Sequence, residues 1–434
     1  MNAWLVVKTD SVGVWLRRGV ALVGAATAVV ACGGSKEQTI LPGPSVGDLG
    51  GSSAGGATTA GGAGAGGTGG AAGMAVCTVY APDRCPESPG ADKQLCVSLQ
   101  TDAANCGACG TACEAQAICT SGKCGAPPQE LTKASQCGDV RLALLGSQLF
   151  WTEQQSGRVR ALPVNGGAVT EVASNQLAPG RIAVDNQGVY WVATGDGSSG
   201  SSKVMKAALP LGDAPSALKT APGTDPIIGV AVDAGKLYYG LVHDIHAIST
   251  DPTDPTDVVV GVSFVTTNDV RTPDGVPEGL TVHAGRVYWV ISDVGSVESD
   301  DLLPGPDGTP RVGHSGQMWP NDLGFAGDYV YYAAFFSLYA AQTNLPAVAV
   351  ASSDDDANLA SFAVSGTTGY FADVGGHLWR HDLALPAAPD FQPTPSAALA
   401  RDQGKITSVV LDDTHVYWAS VDASGDCAIR ALAL

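Results

Sequence analysis

The chain has 434 residues, and 42 acidic against 23 basic side chains give it a formal net charge of −19. Charged residues make up only 15% and glycine occurs 56 times, a composition that excludes a coiled coil or helical bundle and favours a β-rich fold with a low-complexity segment. An acidic surface repels phosphate backbones, so no nucleic-acid partner is expected.

The N-terminus predicts export. Arg17 and Arg18 precede an apolar run over residues 19–30. This run is too short to span a bilayer as a stable helix and is typical of a signal-peptide core.

The next residues, Val29-Val30-Ala31-Cys32, resemble the lipobox of bacterial lipoproteins. The resemblance implies that residues 1–31 are a signal peptide and that Cys32 carries acyl chains which anchor the protein to a membrane. Gly33 in place of aspartate implies the outer membrane, with the protein facing the periplasm or the cell surface. The alternative is an ordinary secretory signal that ends near a cysteine.

Residues 32–76 are predicted to form a flexible tether. Half of Gly50–Gly73 is glycine, and Ala, Ser and Thr supply nearly all the rest, with no charge. Such a segment cannot bury enough apolar surface to offset its ordering entropy, so we expect disorder.

Residues 77–126 are predicted to form a small disulfide-rich module. Of the 11 cysteines, ten follow Cys32, an even number that indicates disulfides in an oxidising compartment. The module contains Cys77, Cys85, Cys96, Cys106, Cys109, Cys113, Cys119 and Cys124. The spacing from Cys106 to Cys124 resembles that of the stigma-specific cysteine-rich domain. A zinc site is the alternative, because Cys106 and Cys109 have ligand spacing. The sequence selects no pairing among the eight.

Residues 127–434 repeat one pattern seven times. An apolar tetrapeptide is followed, six residues after its last member, by the second residue of an aromatic pair. The pairs are Phe150-Trp151, Tyr190-Trp191, Tyr238-Tyr239, Tyr288-Trp289, Tyr331-Tyr332, Tyr370-Phe371 and Tyr417-Trp418. The constant interval indicates a hairpin, and four short strands every 40 to 50 residues or so predict an all-β, seven-bladed β-propeller. A six-bladed ring is the alternative.

Two propeller families resemble these repeats. Phe150-Trp151-Thr152-Glu153 resembles the YWTD repeat of low-density-lipoprotein-receptor propellers, with the tetrad's acid kept at Glu153 alone. Pro179–Asp185 and Pro277–Val282 resemble NHL-type and gluconolactonase-type propellers. Both families are mostly six-bladed, whereas this chain has seven repeats. The resemblance therefore implies the propeller fold and transfers no function.

The ring is expected to close through both ends of the domain. The last repeat has three strands, and residues 130–135 read like the missing outer strand. We therefore predict that residues 130–135 pair with 427–434, which brings Cys137 and Cys427 together as a disulfide. The alternative assigns Cys137 to the module and leaves Cys427 as a free thiol.

Residues that precede the innermost strands converge on the mouth of the central channel. The candidate ligand-binding residues there are Arg141, Arg181, Glu278, Asn321 and Asp322. Glu278 and Asn321 correspond to metal ligands of gluconolactonase-type enzymes, so calcium is the ion that this resemblance implies. No other cofactor is indicated.

Other polar groups are expected to be surface features. His243 and His246 fall on opposite faces of a strand, and Asp251, Asp254 and Asp257 read as a solvated acidic loop.

We find no catalytic residues in the sequence. The function that it favours is therefore a membrane-anchored, non-catalytic binding module, with a protein or small-molecule ligand on one propeller face. The alternatives are a propeller hydrolase, lactonase or lyase with a metal at the channel mouth, and a structural envelope protein.

The anchor is testable by Cys32→Ser. Because one acyl chain alone binds membranes only marginally and lipoproteins carry more than one, loss of the acylated cysteine should release the protein from the membrane fraction or block its processing. Fractionation and mass spectrometry of the N-terminus check this. Unchanged partition and maturation of the variant would contradict the lipoprotein assignment.

Overall fold

The computed structural model describes residues 4–9, 12–17, 82–87, 93–114, 117–120, 122–223, 226–241, 244–251, 253–254, 256–262, 265–267, 270–272, 277–291, 296–301, 311–314, 320–327, 329–334, 337–341, 348–352, 358–383 and 397–434. All regular elements in these ranges are β-strands, and no helix among them is long and apolar enough to cross a membrane. The apolar run of the predicted signal peptide, Cys32, the tether and Cys77 lie outside the described residues.

The chain divides into two compact units, Met1–Ala72 and Gly73–Leu434. In the first, β1 (Trp4–Thr9) and β2 (Val12–Arg17) pair as an antiparallel hairpin. The second contains the cysteine-rich module and the propeller.

The module consists of two short hairpins tied by disulfides. Its strands are β3 (Asp83–Pro86), β4 (Gln94–Val97), β5 (Cys119–Thr120) and β6 (Lys123–Cys124). The disulfides are Cys85–Cys109, Cys106–Cys119 and Cys113–Cys124, and Cys96 is also disulfide-bonded. Cys106 and Cys109, the pair with zinc-type spacing, therefore belong to two different disulfides.

The described residues of the propeller form seven four-stranded antiparallel sheets, which are its blades. A strand upstream of blade 1, β7 (Gln129–Ala134), belongs to blade 7. Blades 1 to 3 comprise β8 (Val140–Leu145), β9 (Gln148–Glu153), β10 (Arg158–Pro163), β11 (Thr170–Ala173); β12 (Pro179–Asp185), β13 (Gly188–Ala193), β14 (Lys203–Ala208), β15 (Ser216–Thr220); and β16 (Gly229–Asp233), β17 (Lys236–Gly240), β18 (Asp244–Ser249), β19 (Asp257–Val262).

A two-stranded hairpin, β20 (Val265–Thr267) and β21 (Val270–Thr272), separates blades 3 and 4. Blades 4 to 6 comprise β22 (Pro277–His283), β23 (Arg286–Ile291), β24 (Ser296–Asp301), β25 (Arg311–His314); β26 (Pro320–Ala326), β27 (Tyr329–Ala334), β28 (Ser337–Ala341), β29 (Val348–Ser352); and β30 (Leu359–Ser365), β31 (Thr368–Asp373), β32 (Leu378–Asp382), β33 (Ala397–Ala400). Blade 7 comprises β34 (Lys405–Leu411), β35 (His415–Val421), β36 (Cys427–Ala433) and β7.

An aspartate fixes the turn between the first two strands in two of the blades. Asp185 Oδ1 accepts hydrogen bonds from the Gln187 and Gly188 amides at 2.8 and 3.0 Å, and from the Tyr190 hydroxyl at 3.1 Å. In blade 7, Asp412 and Tyr417 repeat the hydroxyl contact at 2.8 Å. The constant interval in the sequence therefore reflects the hairpin formed by the first two strands of each blade, and in blades 2 and 7 an aspartate side chain fixes its turn.

The aromatic pairs pack between blades. Alternation along a strand turns the two rings of a pair to opposite faces, so each pair contacts both neighbouring blades. In six of the interfaces, the first ring of one pair shares a buried cluster with the second ring of the next: Phe150 with Trp191, Tyr190 with Tyr239, Tyr238 with Trp289, Tyr331 with Phe371, Tyr370 with Trp418, and Tyr417 with Trp151. The last of these contacts joins blade 7 to blade 1 and closes the ring.

The cysteine-rich module packs against the propeller. Ile118, just before β5, lies on the hydrophobic cluster between blades 6 and 7, which includes Leu399 and Ile406. Residues 125–128 then lead directly into β7. The module therefore rests on one blade and continues into the next.

Both ends of the propeller domain meet in blade 7. β7 pairs antiparallel with β36, with Ala134 opposite Cys427 and Gln129 opposite Ala431. Cys137 and Cys427, both buried, form a disulfide that spans 290 residues of sequence. β7 begins and ends one residue earlier than the predicted 130–135. β36 begins at Cys427 as predicted and ends one residue before Leu434.

Removal of this disulfide should destabilise the ring. The chain-entropy relation gives on the order of 5 kcal/mol for so long a loop, so a Cys137→Ser/Cys427→Ser variant should unfold at markedly lower urea concentration. Cys113→Ser/Cys124→Ser, which opens a loop with a separation of 11 residues, is the control and should affect the propeller far less. Peptide mapping without reduction decides the connectivity: an alkylated Cys427 peptide, or one linked to a cysteine before Cys137, would overturn it.

Candidate functional site

The mouth face is the end of the propeller at which the innermost strands begin and the second strands end. Five innermost strands carry a register irregularity there: β12 between Pro179 and Ile182, β22 between Glu278 and Thr281, β26 between Pro320 and Asp322, β30 between Leu359 and Ser361, and β34 between Ile406 and Ser408. Such bulges redirect side chains. They fall on the sequence positions that were expected to line the mouth.

Three side chains that follow these bulges join neighbouring blades. Each accepts a hydrogen bond from a backbone amide of the next innermost strand: Ser408 from Leu142 at 3.1 Å, Ser361 from Val409 at 3.1 Å, and Asp322 from Phe362 at 3.3 Å. Ser361 Oγ also donates to Asp322 Oδ2 at 2.9 Å. This belt of hydrogen bonds connects blades 5, 6, 7 and 1. Ser361 and Ser408 occupy the same position in their repeats as Asp322, and the sequence alone does not indicate their shared role.

The two candidate arginines have different partners. Arg141 binds Asp139 Oδ2 at 2.7 Å and the Thr407 carbonyl at 3.1 Å. Arg181 of blade 2 lies with Nη1 4.0 Å from Asp322 Oδ1 of blade 5. The structure therefore brings Arg181 and Asp322 together from blades 2 and 5, whereas Arg141 bonds to Asp139, just before its own strand, and to Thr407 of blade 7.

The proposed calcium ligands are only partly described. Glu278 and Asn321 lie in β22 and β26 at the mouth, and their side chains fall outside the described residues. Asp322, which follows Asn321, already accepts hydrogen bonds from two backbone amides and a hydroxyl, and it lies 4.0 Å from the Arg181 guanidinium.

The expectation that Glu153 is the only acid at its repeat position was wrong. Asp373 occupies the same place at the end of the second strand of blade 6, two residues after the second aromatic residue. Burial alone would raise the pKa of the Asp373 carboxyl, but hydrogen bonds from His377 and the Trp379 indole outweigh it and hold that pKa below its usual value. The tetrad spacing in Tyr370-Phe371-Ala372-Asp373 was the sequence signal that could have identified it.

His246 and Asp257 are not simple surface groups. His246 Nδ1 lies 2.9 Å from Asp257 Oδ1, and its ring stacks on Tyr239 with centroids 5.0 Å apart. Lys219 of blade 2 also binds Asp257, so the cluster joins the outer strands of blades 2 and 3. Burial first, then the Asp257 charge and hydrogen bond, raise the pKa of Tyr239. His243 lies outside the described residues.

Comparison with known proteins supports both parts of the second unit. Residues 72–143 match the stigma-specific STIG1-like protein family. A comparison with curated protein sequences finds no match.

Solved structures similar to the chain are β-propellers of low sequence identity. A streptogramin B lyase is 10% identical with a TM-score of 0.55 over 71% of this chain and 97% of that one. Catalytically inactive virginiamycin B lyase from Staphylococcus aureus with quinupristin is 10% identical, with a TM-score of 0.54 over 70% and 99%. The β-propeller domain of Cps50 from Myceliophteria thermophila is 10% identical, with a TM-score of 0.51 over 70% and 100%. At these identities the likeness shows the fold alone.

The belt predicts an order of stability among variants of Asp322. Asp322→Ala leaves the Phe362 amide and Ser361 hydroxyl without their acceptor, which should cost about 1–3 kcal/mol of unfolding free energy. Asp322→Asn keeps an oxygen and should cost less. Urea denaturation measures both, with Asp382→Ala, an exposed acid on β32, as the control. Equal stability of the alanine variant and the control would refute the belt's contribution.

Proposed function

We propose that this protein is an exported lipoprotein, anchored through Cys32 to the outer membrane, whose propeller is a non-catalytic binding module with its ligand site at the mouth. Three features support the proposal: the lipobox-like sequence, the disulfides of an oxidising compartment, and the charged pair at the mouth.

The Arg181–Asp322 pair is the observation that carries the binding role. The two side chains come from blades 2 and 5 and remain about a quarter exposed, at 28% and 20%. At 4.0 Å their contact is longer than a charge-assisted hydrogen bond of roughly 2.7–2.9 Å. A ligand that carries a carboxylate or another polar anionic group can therefore insert at Arg181 while the belt holds Asp322 in place.

A ligand that binds only the folded protein raises its stability. At a concentration one hundred times Kd the gain is about 2.7 kcal/mol, which thermal unfolding detects. We expect at least one member of a panel of small carboxylates, sugars and peptides to raise Tm of the wild type and not of Arg181→Met. Lys236→Met, an exposed cation on β17, is the matched control and should keep the shift.

Calcium, a chelator and a panel of lactones and esters separate this function from the metal-dependent enzyme. Bound calcium that is lost in Glu278→Ala, together with turnover of a lactone or ester, would show that the protein is a metal-dependent enzyme and not a binding module. Identical Tm values with chelator, calcium and every small ligand would refute a site at the mouth and favour a structural envelope protein.

A further inference from the structure

A polar cavity lies at the mouth-face end of blade 7. Its volume is about 380 Å³, within the usual range of roughly 300–1,000 Å³ for small-ligand sites. It lies beside β7 and the ends of β35 and β36, away from the innermost strands that carry Arg181 and Asp322. Its polar lining includes Lys133, Gln403, Ser420, Asp422, Asp426 and Arg430.

Blade 1 shows what normally fills the corresponding position. Its second strand ends in Glu153, whose buried carboxylate accepts the Trp151 indole N–H at 3.0 Å and pairs with Arg160 Nη1 at 3.1 Å. Arg160 is directly opposite Trp151 in the β9–β10 register. One carboxylate thus satisfies an indole and a guanidinium.

Blade 7 keeps both donors but has no carboxylate at the position of Glu153. Arg430 is directly opposite Trp418 in the β35–β36 register, and Ser420 stands two residues after Trp418, where blade 1 has Glu153. The Ser420 hydroxyl accepts Arg430 Nη1 at 2.6 Å. Glu130 lies 3.7 Å from Arg430 Nη2 and 3.2 Å from Lys133 Nζ. The Trp418 indole N–H is buried and has no acceptor among the residues that the structure describes.

A buried donor that lacks an acceptor lowers the stability of the fold. The shorter Ser420 side chain accounts for both the missing acceptor of Trp418 and the space beside Arg430. A carboxylate delivered from outside would compete with Glu130 for Arg430 and would occupy the position that Glu153 fills in blade 1.

We propose that the blade 7 cavity binds a small zwitterion of the α-amino acid or short-peptide class. The ligand carboxylate takes the place of the Glu153 carboxylate and pairs with Arg430, with Lys133 as a second cation. Asp422 and Asp426, on the loop that faces these cations, attract the ligand's ammonium group. Two cations and two acids match a zwitterion better than a simple anion.

This site unites the two ends of the propeller domain. Lys133 comes from β7 and Arg430 from β36, so a bound ligand contacts both strands of the closing pair. Binding should therefore resist separation of these strands as well as raise the stability of the whole domain. The site is independent of the channel mouth.

The test uses the disulfide-intact protein with glycine, L-alanine, L-glutamate and glycylglycine as probes, and acetate and methylamine as single-charge controls. Isothermal titration calorimetry should show at least one zwitterion bound with a Kd at least tenfold lower than that of acetate or methylamine. Lys236→Met, the exposed control on β17, should bind that zwitterion as the wild type does. Loss of all zwitterion binding in Arg181→Met would assign the binding to the mouth and overturn a site in blade 7.

Ser420→Glu is the decisive variant, because it supplies the carboxylate of blade 1. We expect it to raise Tm by satisfying Trp418 and Arg430, and to weaken zwitterion binding at least tenfold. Ser420→Gln, of the same size without the charge, should also block the cavity but should raise Tm less.

Two outcomes would overturn the proposal: no zwitterion binds the wild type more tightly than the single-charge controls, or Ser420→Glu folds and binds as the wild type does. If Ser420→Glu does not fold, Lys133→Met decides. It should weaken binding several-fold, and unchanged affinity would equally overturn the proposal.

Discussion

The propeller depends on one repeated arrangement, in which the first aromatic ring of a blade and the second ring of the next are buried in the same hydrophobic cluster. Burial of rings of this size contributes on the order of 1.5–3 kcal/mol each. The two rings of a pair lie on opposite faces of their blade, so each blade shares one cluster with the blade before it and another with the blade after it. The cluster that contains Tyr417 of blade 7 and Trp151 of blade 1 closes the ring. Hydrogen bonds at the mouth and the Cys137–Cys427 disulfide act on a ring that the aromatic side chains have already arranged.

The ring is symmetric in its core and asymmetric at its mouth. Blades 5, 6, 7 and 1 are joined by the amide-accepting side chains Asp322, Ser361 and Ser408. The equivalent positions of blades 1 and 2 carry Arg141 and Arg181, which donate rather than accept. One part of the mouth is thus occupied by hydrogen bonds that join the blades. In the other part, the equivalent position of the repeat carries a cationic side chain. This asymmetry is what makes the mouth a candidate for recognition.

The fold could be predicted from the sequence because the aromatic pairs are local and periodic. The four-strand repeat and the antiparallel strands of blade 7 follow from such patterns. The site was harder, because the bulges that redirect Asp322 and its neighbours leave no mark in a single sequence. The belt and the contact of Arg181 with Asp322 both arise from the ring's geometry, and the latter joins residues 141 positions apart. Asp373 was missed for a simpler reason: its tetrad departs from YWTD at two positions while keeping the acid.

The order of elements at the N-terminal end of the propeller determines how the domain bears a mechanical load. A pull on the chain before the module would first act on the contact of Ile118 with blades 6 and 7, and then on β7 from its Gln129 end. An outer strand loaded from one end opens its hydrogen bonds one pair at a time and yields at low force. Here peeling would progress towards Ala134 and stop at the disulfide three residues beyond it, where Cys137 fixes the strand to Cys427. The bond lies at the far end of the peeling path, so it limits tearing while it leaves the first five residue pairs free to open and reseal.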